Sequence, residues 1–258
     1  NDFSKGSVVG NIMGMAIPMT AAQLINLLYN VVDRIYIGYI PEHATLSLTG
    51  LGVCLPVITA VMAFANLFGM GGAPLCSIER GRGNQKEAEA IMGNSFTLMV
   101  ICGILLTILG IVFRRPLLYL FGASDSTYPY AESYMTIYLL GSVFVMMGLG
   151  MNAFINSQGF GRIGMQTVLL GAVANIILDP VFIFGFRMDV RGAALATIIS
   201  QFLSAAWVLR FLFSDRSILR LKRETMVLKK ARVLKIVSMG MSSFAAGFTN
   251  SVVAVACN

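Results

Sequence analysis

Charge is what this sequence has least of. Of its 258 residues only 12% are Asp, Glu, Lys or Arg, against roughly 25% in soluble domains, and no charge-rich stretch is long enough for a separate water-soluble domain. With 57% hydrophobic residues, there is too little polar surface to cover a globule in water. Strand-length alternation is missing too. The apolar runs are far longer than the roughly 10-residue strands of an outer-membrane barrel, which leaves the helix as the spanning form. The four cysteines, Cys54, Cys76, Cys102 and Cys257, include no C-x-x-C pair, so neither a zinc site nor a disulfide framework is indicated. No cleavable signal peptide is expected, because the first apolar segment is too long and lacks a small-residue cleavage site.

What remains is an all-α fold, a polytopic membrane helical bundle. Spans of about 20 residues or more are predicted near 12–38, 51–78, 91–113, 129–156, 165–186 and 192–213, with a seventh starting near Ile236. The chain starts with Asn and stops inside the seventh span, at "VVAVACN". It therefore reads as a piece of something longer: a six-helix lobe over 1–213, a basic linker over 214–235 and the beginning of helix seven over 236–258.

The net charge of +7 raises the question of nucleic acid, and the placement of the charge answers it. Lys5, then Arg80, Arg82 and Lys86, then Arg162, then Arg210 through Lys235 fall in alternate loops, whereas the opposite loops hold only Arg114, Arg115, Arg187 and Arg191. This is the positive-inside pattern. It predicts a multi-pass protein of the plasma membrane with a cytoplasmic N-terminus, and no nucleic-acid partner. The linker Ser214–Lys235 reads as an anchor lying along an anionic leaflet.

Two short motifs are set aside on context. "GFGRIG", Gly159 to Gly164, has the spacing of a dinucleotide fingerprint but joins two membrane spans rather than following a strand, so it reads as a tight turn. "GNIMG", Gly10 to Gly14, fits the G-x-x-x-G packing motif. An internal repeat is more informative: Ile12–Asn26 laid over Ile236–Asn250 matches Ile12, Met15, Ala21, Ala22 and Asn26, on either side of the longest linker. Transporters are often built from repeated bundles.

Polar residues inside the spans are the main functional signal. Asp33 and Asp179 are the only acids deep within them, each costing about 2.5 to 3.5 kcal/mol at a helix centre, and such acids face bundle interiors or hydrated cavities. In the first span Gln23, Asn26, Asn30 and Asp33 recur at intervals of three and four and make one stripe. Asn175 and Asp179 share a face of the fifth span, Thr197, Gln201 and Ser204 one of the sixth, Thr59 and Asn66 one of the second, and Asn152 and Asn156 one of the fourth. Pro180 lacks an N–H and clashes with the carbonyl of Ile176, so it bends the helix and frees an oxygen beside the Asp179 carboxylate. Carboxylate, amide and carbonyl oxygens suit Na⁺ and can equally exchange protons.

These residues carry a resemblance. "IPMTAAQLINLLYNVVDRIYIG", "FGMGGAPLCSIERGRGNQKEAEAIMGNS", "LFGASDSTYPYAESYMTIYL" and above all "INSQGFGRIGMQTVLLGAVANIILDPVFIFG" followed by "VRGAALATIIS" are similar to the multidrug and toxic compound extrusion (MATE) transporters of bacteria, and among them to the MepA-like group. The resemblance implies a twelve-helix exporter of two six-helix lobes around a cavity that opens alternately to either side, of which this chain is the N-terminal lobe. It implies a bacterial inner membrane, a second lobe as partner, the surrounding bilayer, and organic small-molecule substrates. It also implies no cofactor beyond a coupling Na⁺ or H⁺, held by Asp33, Asn175, Asp179 and Thr197. Arg34 and the uncharged Cys257, the repeat equivalent of Asp33, depart from the family pattern.

The activity expected is antiport: the cation binds at Asp33 and Asp179 and an organic, cationic or amphipathic, drug leaves. Tyr36, Tyr138 and Met147 are further candidates for the cavity wall. Two alternatives stand beside this, a flippase for a lipid-linked precursor and an intramembrane aspartyl protease. The contexts "VVDRI" and "ILDPV" lack the G-x-G-D setting of such a protease, and no enzyme is expected.

Overall fold

A computed structural model describes residues 8–40 and 44–257. Lys5 lies outside them, as do the side chains of Asn250 and Cys257. The elements are α1 (Val8–Gly38), α2 (Ala44–Gly81), α3 (Gln85–Val112), the short α4 (Arg114–Leu120), α5 (Tyr128–Leu140), α6 (Ser142–Ser157), α7 (Gly161–Pro180) continuing into a π turn (Val181–Gly185), α8 (Asp189–Phe213), a 3₁₀ turn (Arg223–Met226) and α9 (Lys230–Cys257). Among the described residues five helices are each long and apolar enough to cross a membrane, and α5 with α6 passes the same test as a bent pair, six spans if that pair is counted as one. Among the described residues there is no strand.

The bend corrects the continuous fourth span expected over 129–156. α5 and α6 meet at 55° at the Gly141–Ser142 pair, a dipeptide that commonly marks sharp kinks. Gly141 lies against the Ile198 side chain so closely that a Cβ has no room. The bend is held from α3, where the Thr107 hydroxyl donates to the Leu139 carbonyl at 2.6 Å and sits 3.0 Å from the Ser142 hydroxyl. Ser142 in turn donates to the Gly103 carbonyl at 3.3 Å.

α2 is the hub, packing on α3, α5, α6 and α9, while α1 lies at the edge against α7, and α8 joins α7 to α5 and α6. The α2–α9 seam brings backbone against backbone: Gly71 faces the Ile236 carbonyl and Gly240, and Gly240 faces the Leu67 carbonyl, with no space for a side chain at either. The Phe64 and Phe244 rings meet across it with centroids 4.9 Å apart, tilted by 59°. Gly14, by contrast, meets nothing within 4 Å among the described residues. The "GFGRIG" segment is the turn between α6 and α7, with Gly159 at φ 91°, a conformation that favours glycine.

The linker is not a free anchor. Residues 214–229 form a strap laid across the ends of α3 and α6, and α9 starts at Lys230, six residues before the predicted onset. The Gln158 side-chain oxygen accepts from the Ser217 hydroxyl at 3.0 Å and the Leu219 N–H at 2.8 Å. Asn94 donates to the carbonyls of Thr225 and Val227 at 3.0 and 2.9 Å and accepts from the Lys229 N–H at 3.0 Å. Lys222 pairs with the buried Glu89 at 2.6 Å, and Arg232 with Glu87 at 2.6 Å. Leu219 and Leu221 are buried beneath the strap.

Candidate ion site and cavity

α7 provides the centre of the site. One helical turn separates Asn175 from Asp179, so both side chains point the same way, and the Asn175 amide donates to Asp179 Oδ1 at 3.3 Å. Asp179 is fully buried and Asn175 nearly so. Because α1 packs chiefly along α7, Asp33 comes to lie near Asp179. Arg34, the next residue, is exposed and makes no ion pair with Asp33 among the described residues. Pro180 closes α7, and the chain passes into the π turn directly after the acid, the kind of irregularity often found at functional sites.

Two tyrosines complete the cluster, and neither was expected from the sequence. Tyr29 of α1 lies near both acids. Tyr134, buried on α5, lies near Thr197 of α8 and Asp33 of α1. Tyr29 does stand one turn before Asp33, but aromatic residues in an apolar span give no polar period to read.

Several oxygens here have no donor. Asp33 Oδ1, Asp179 Oδ2, Asn175 Oδ1, Asn152 Oδ1 and Asn156 Oδ1 are buried without a hydrogen-bond partner among the described residues. Buried polar atoms are almost always paired, so each exception calls for an explanation. Two adjacent carboxylates removed from water repel strongly unless a proton or a cation neutralises them. Together with the Asn175 oxygen they form an acceptor-only set suited to H⁺ or a hard cation.

Tyr29, Asn175 and Thr197 of the cluster border polar space, whereas Asp33 and Asp179 line neither of the two cavities beside it. A cavity of about 110 Å³ is bounded by Asn26, Tyr29, Asn175, Thr197, Gln201 and Ser204. A larger one of about 740 Å³ shares Asn26 and Asn152 with it and adds Gln23, Asn66 and Asn156, with Ser243 from α9 on the far side. Gly164 keeps the wall thin, since a Cβ there would strike Asn156. Asn30, Tyr36 and Tyr138, expected to line the cavity, border neither space. Asn30 is exposed and bonds back one turn to the Asn26 carbonyl at 2.7 Å. Tyr36 packs edge-on against Phe184 at 6.4 Å, and Tyr138 is buried in the core with its hydroxyl unpartnered.

Residues 18–181 match the MatE family model. The chain belongs to the MatE family. The matched stretch carries Asp33, Asn175 and Asp179, and members of the family are transporters rather than enzymes. The multidrug export protein MepA of Staphylococcus saprophyticus is 26% identical over 94% of this chain and 53% of its own length. Among solved structures, an outward-facing multidrug resistance MATE family transporter superposes with a TM-score of 0.86 at 24% identity, over 94% of this chain and 53% of that one. A MOP superfamily transporter from Pyrococcus furiosus, described as having a binding pocket of reverse polarity, gives 0.86 at 24% with the same coverage. The chain thus spans about half the length of the relatives it matches.

Proposed function

We propose that this MatE chain is the N-terminal lobe of a cation-coupled exporter of organic cations and amphipathic drugs, with the Asp33–Asp179 cluster as its coupling site. The observation that carries the reading is the set of buried acceptor oxygens of Asp33, Asp179 and Asn175 that have no hydrogen-bond partner among the described residues. The MepA relative is a multidrug export protein, which supports the substrate class. Asp33, Asn175, Asp179 and Thr197 hold the transported Na⁺ or H⁺, with Tyr134 near Thr197. Neutralising the acids changes what α1 gains by lying against α7. The weakly packed α1, with one long apolar side exposed, is therefore the element free to move and switch the lobe between its two openings. The strap then lies on the cytoplasmic face, as the positive-inside pattern requires.

Counterflow tests this. The full-length parent is reconstituted into liposomes, a dye gradient is imposed, and internal pH and Na⁺ are read separately. One of the two ions should move against the dye. Dye movement that carries neither ion would contradict antiport.

A further inference from the structure

At the end of the bundle opposite the strap, the turn between the π turn and α8 has an unusual backbone. Phe186 (φ −91°, ψ −3°) and Met188 (φ −88°, ψ −1°) are right-handed, while Arg187 and Asp189 between and after them have φ of 53° and 50°. Non-glycine residues are uncommon in that region. Alternation of the two hands turns successive N–H groups toward one side and forms a concavity for anions. The N–H groups of Phe186 and Met188 bond back to Val181 and Phe182 at 2.9 and 3.1 Å, whereas those of Arg187 and Asp189 have no backbone partner among the described residues.

This turn borders a pocket of about 520 Å³ whose other wall is the start of α5. Arg187 and Arg191 both line it, and Arg191 is fixed there by its Nε, which donates to the Ser133 hydroxyl at 3.3 Å. Asp189 shares the pocket, yet it pairs with neither arginine within 4 Å among the described residues, so both guanidinium groups remain available. Next to them in the chain, Val181, Phe184 and Phe186 expose apolar side chains. Arginines beside an exposed apolar and aromatic belt match the layering of a bilayer surface, with acyl chains on one side and headgroups on the other.

We propose that this pocket binds the phosphate of an anionic phospholipid from the leaflet opposite the strap, with Arg187 and Arg191 clamping the headgroup and the free N–H groups completing the cradle. Arginine is suited to this because its fork of donors matches phosphate oxygens.

The test uses the full-length parent in nanodiscs of phosphatidylcholine with a minor fraction of phosphatidylglycerol, reading retained lipid by native mass spectrometry. The strap also carries cations, so the readout is the difference between wild type and variant. Arg187→Gln with Arg191→Gln should weaken phosphatidylglycerol retention by about fivefold per arginine, with no change for phosphatidylcholine. Ser133→Ala, which releases Arg191 but keeps both charges, should give a smaller loss of the same sign and serves if the double variant does not fold. Equal retention in wild type, Ser133→Ala and the arginine variants would overturn the proposal. So would displacement of the lipid from wild type by excess inorganic phosphate, which would make the site one for a soluble anion.

Discussion

The cluster between α1 and α7 and the strap are both rich in buried polar groups, and they differ in how many of those groups are paired. Under the strap, Asn94 uses both amide hydrogens and its oxygen, and the Gln158 oxygen and the Glu89 carboxylate each take donors from the linker, so that only the Gln158 Nε2 is left without a partner among the described residues of that network. Between α1 and α7, Asp33, Asp179 and Asn175 each keep an oxygen with no donor. A satisfied network stabilises and fixes one arrangement, whereas a partly satisfied one is costly unless something else binds there. The contrast separates the two regions: the strap's side chains tie the linker to the bundle, and the cluster keeps acceptors of the kind the proposed coupling ion needs.

Substitutions at the two places should therefore separate transport from stability. The largest effect on transport is expected at Asp179: Asp179→Asn should reduce gradient-driven dye efflux to the background of empty liposomes, with thermal unfolding little changed. The largest effect on stability is expected at Asn94, because Asn94→Leu strands two carbonyls and one N–H of the strap at about 1 to 3 kcal/mol per group left unpaired. Unfolding of that variant should come several degrees earlier, while the ion dependence of efflux in the folded fraction stays as in wild type. Glu89→Gln should cost about 1 kcal/mol, since Lys222 is half exposed and water screens most of its charge. At the bend, Gly141→Ala forces a Cβ onto Ile198, at about 1 to 3 kcal/mol by overpacking, again read by thermal unfolding. If Asn94→Leu shifted the ion dependence as strongly as Asp179→Asn, the contrast between the two regions would fail.

Part of the candidate site's geometry was legible because membrane helices make polar residues conspicuous. Asp33 and Asp179 stood out by their cost, and Asn175 and Asp179 by helical spacing, and the structure brings the two acids together. Tyr29 and Tyr134 stayed hidden because their rings read as hydrocarbon. Asn30 was misplaced for a different reason: helical spacing predicts a shared face but cannot see that a short amide will bond back one turn.

The strap was illegible for a physical reason. Its basic residues satisfy the charge rule for loops whatever they touch, and their partners Glu87, Glu89 and Asn94 lie more than a hundred residues away, where they resemble ordinary helix-end polar residues. The bend between α5 and α6 was marked by Gly141–Ser142, but the clamp from Thr107 is a tertiary contact that no local pattern reveals.

The most direct test is dye efflux from proteoliposomes containing the full-length parent, wild type against Asp179→Asn, with Na⁺ and proton gradients imposed separately. The account predicts that one gradient drives the wild type and that the folded variant responds to neither. Efflux by Asp179→Asn at the wild-type rate under the same gradient would contradict it, and would leave Asp179 and Pro180 as parts of a structural bend.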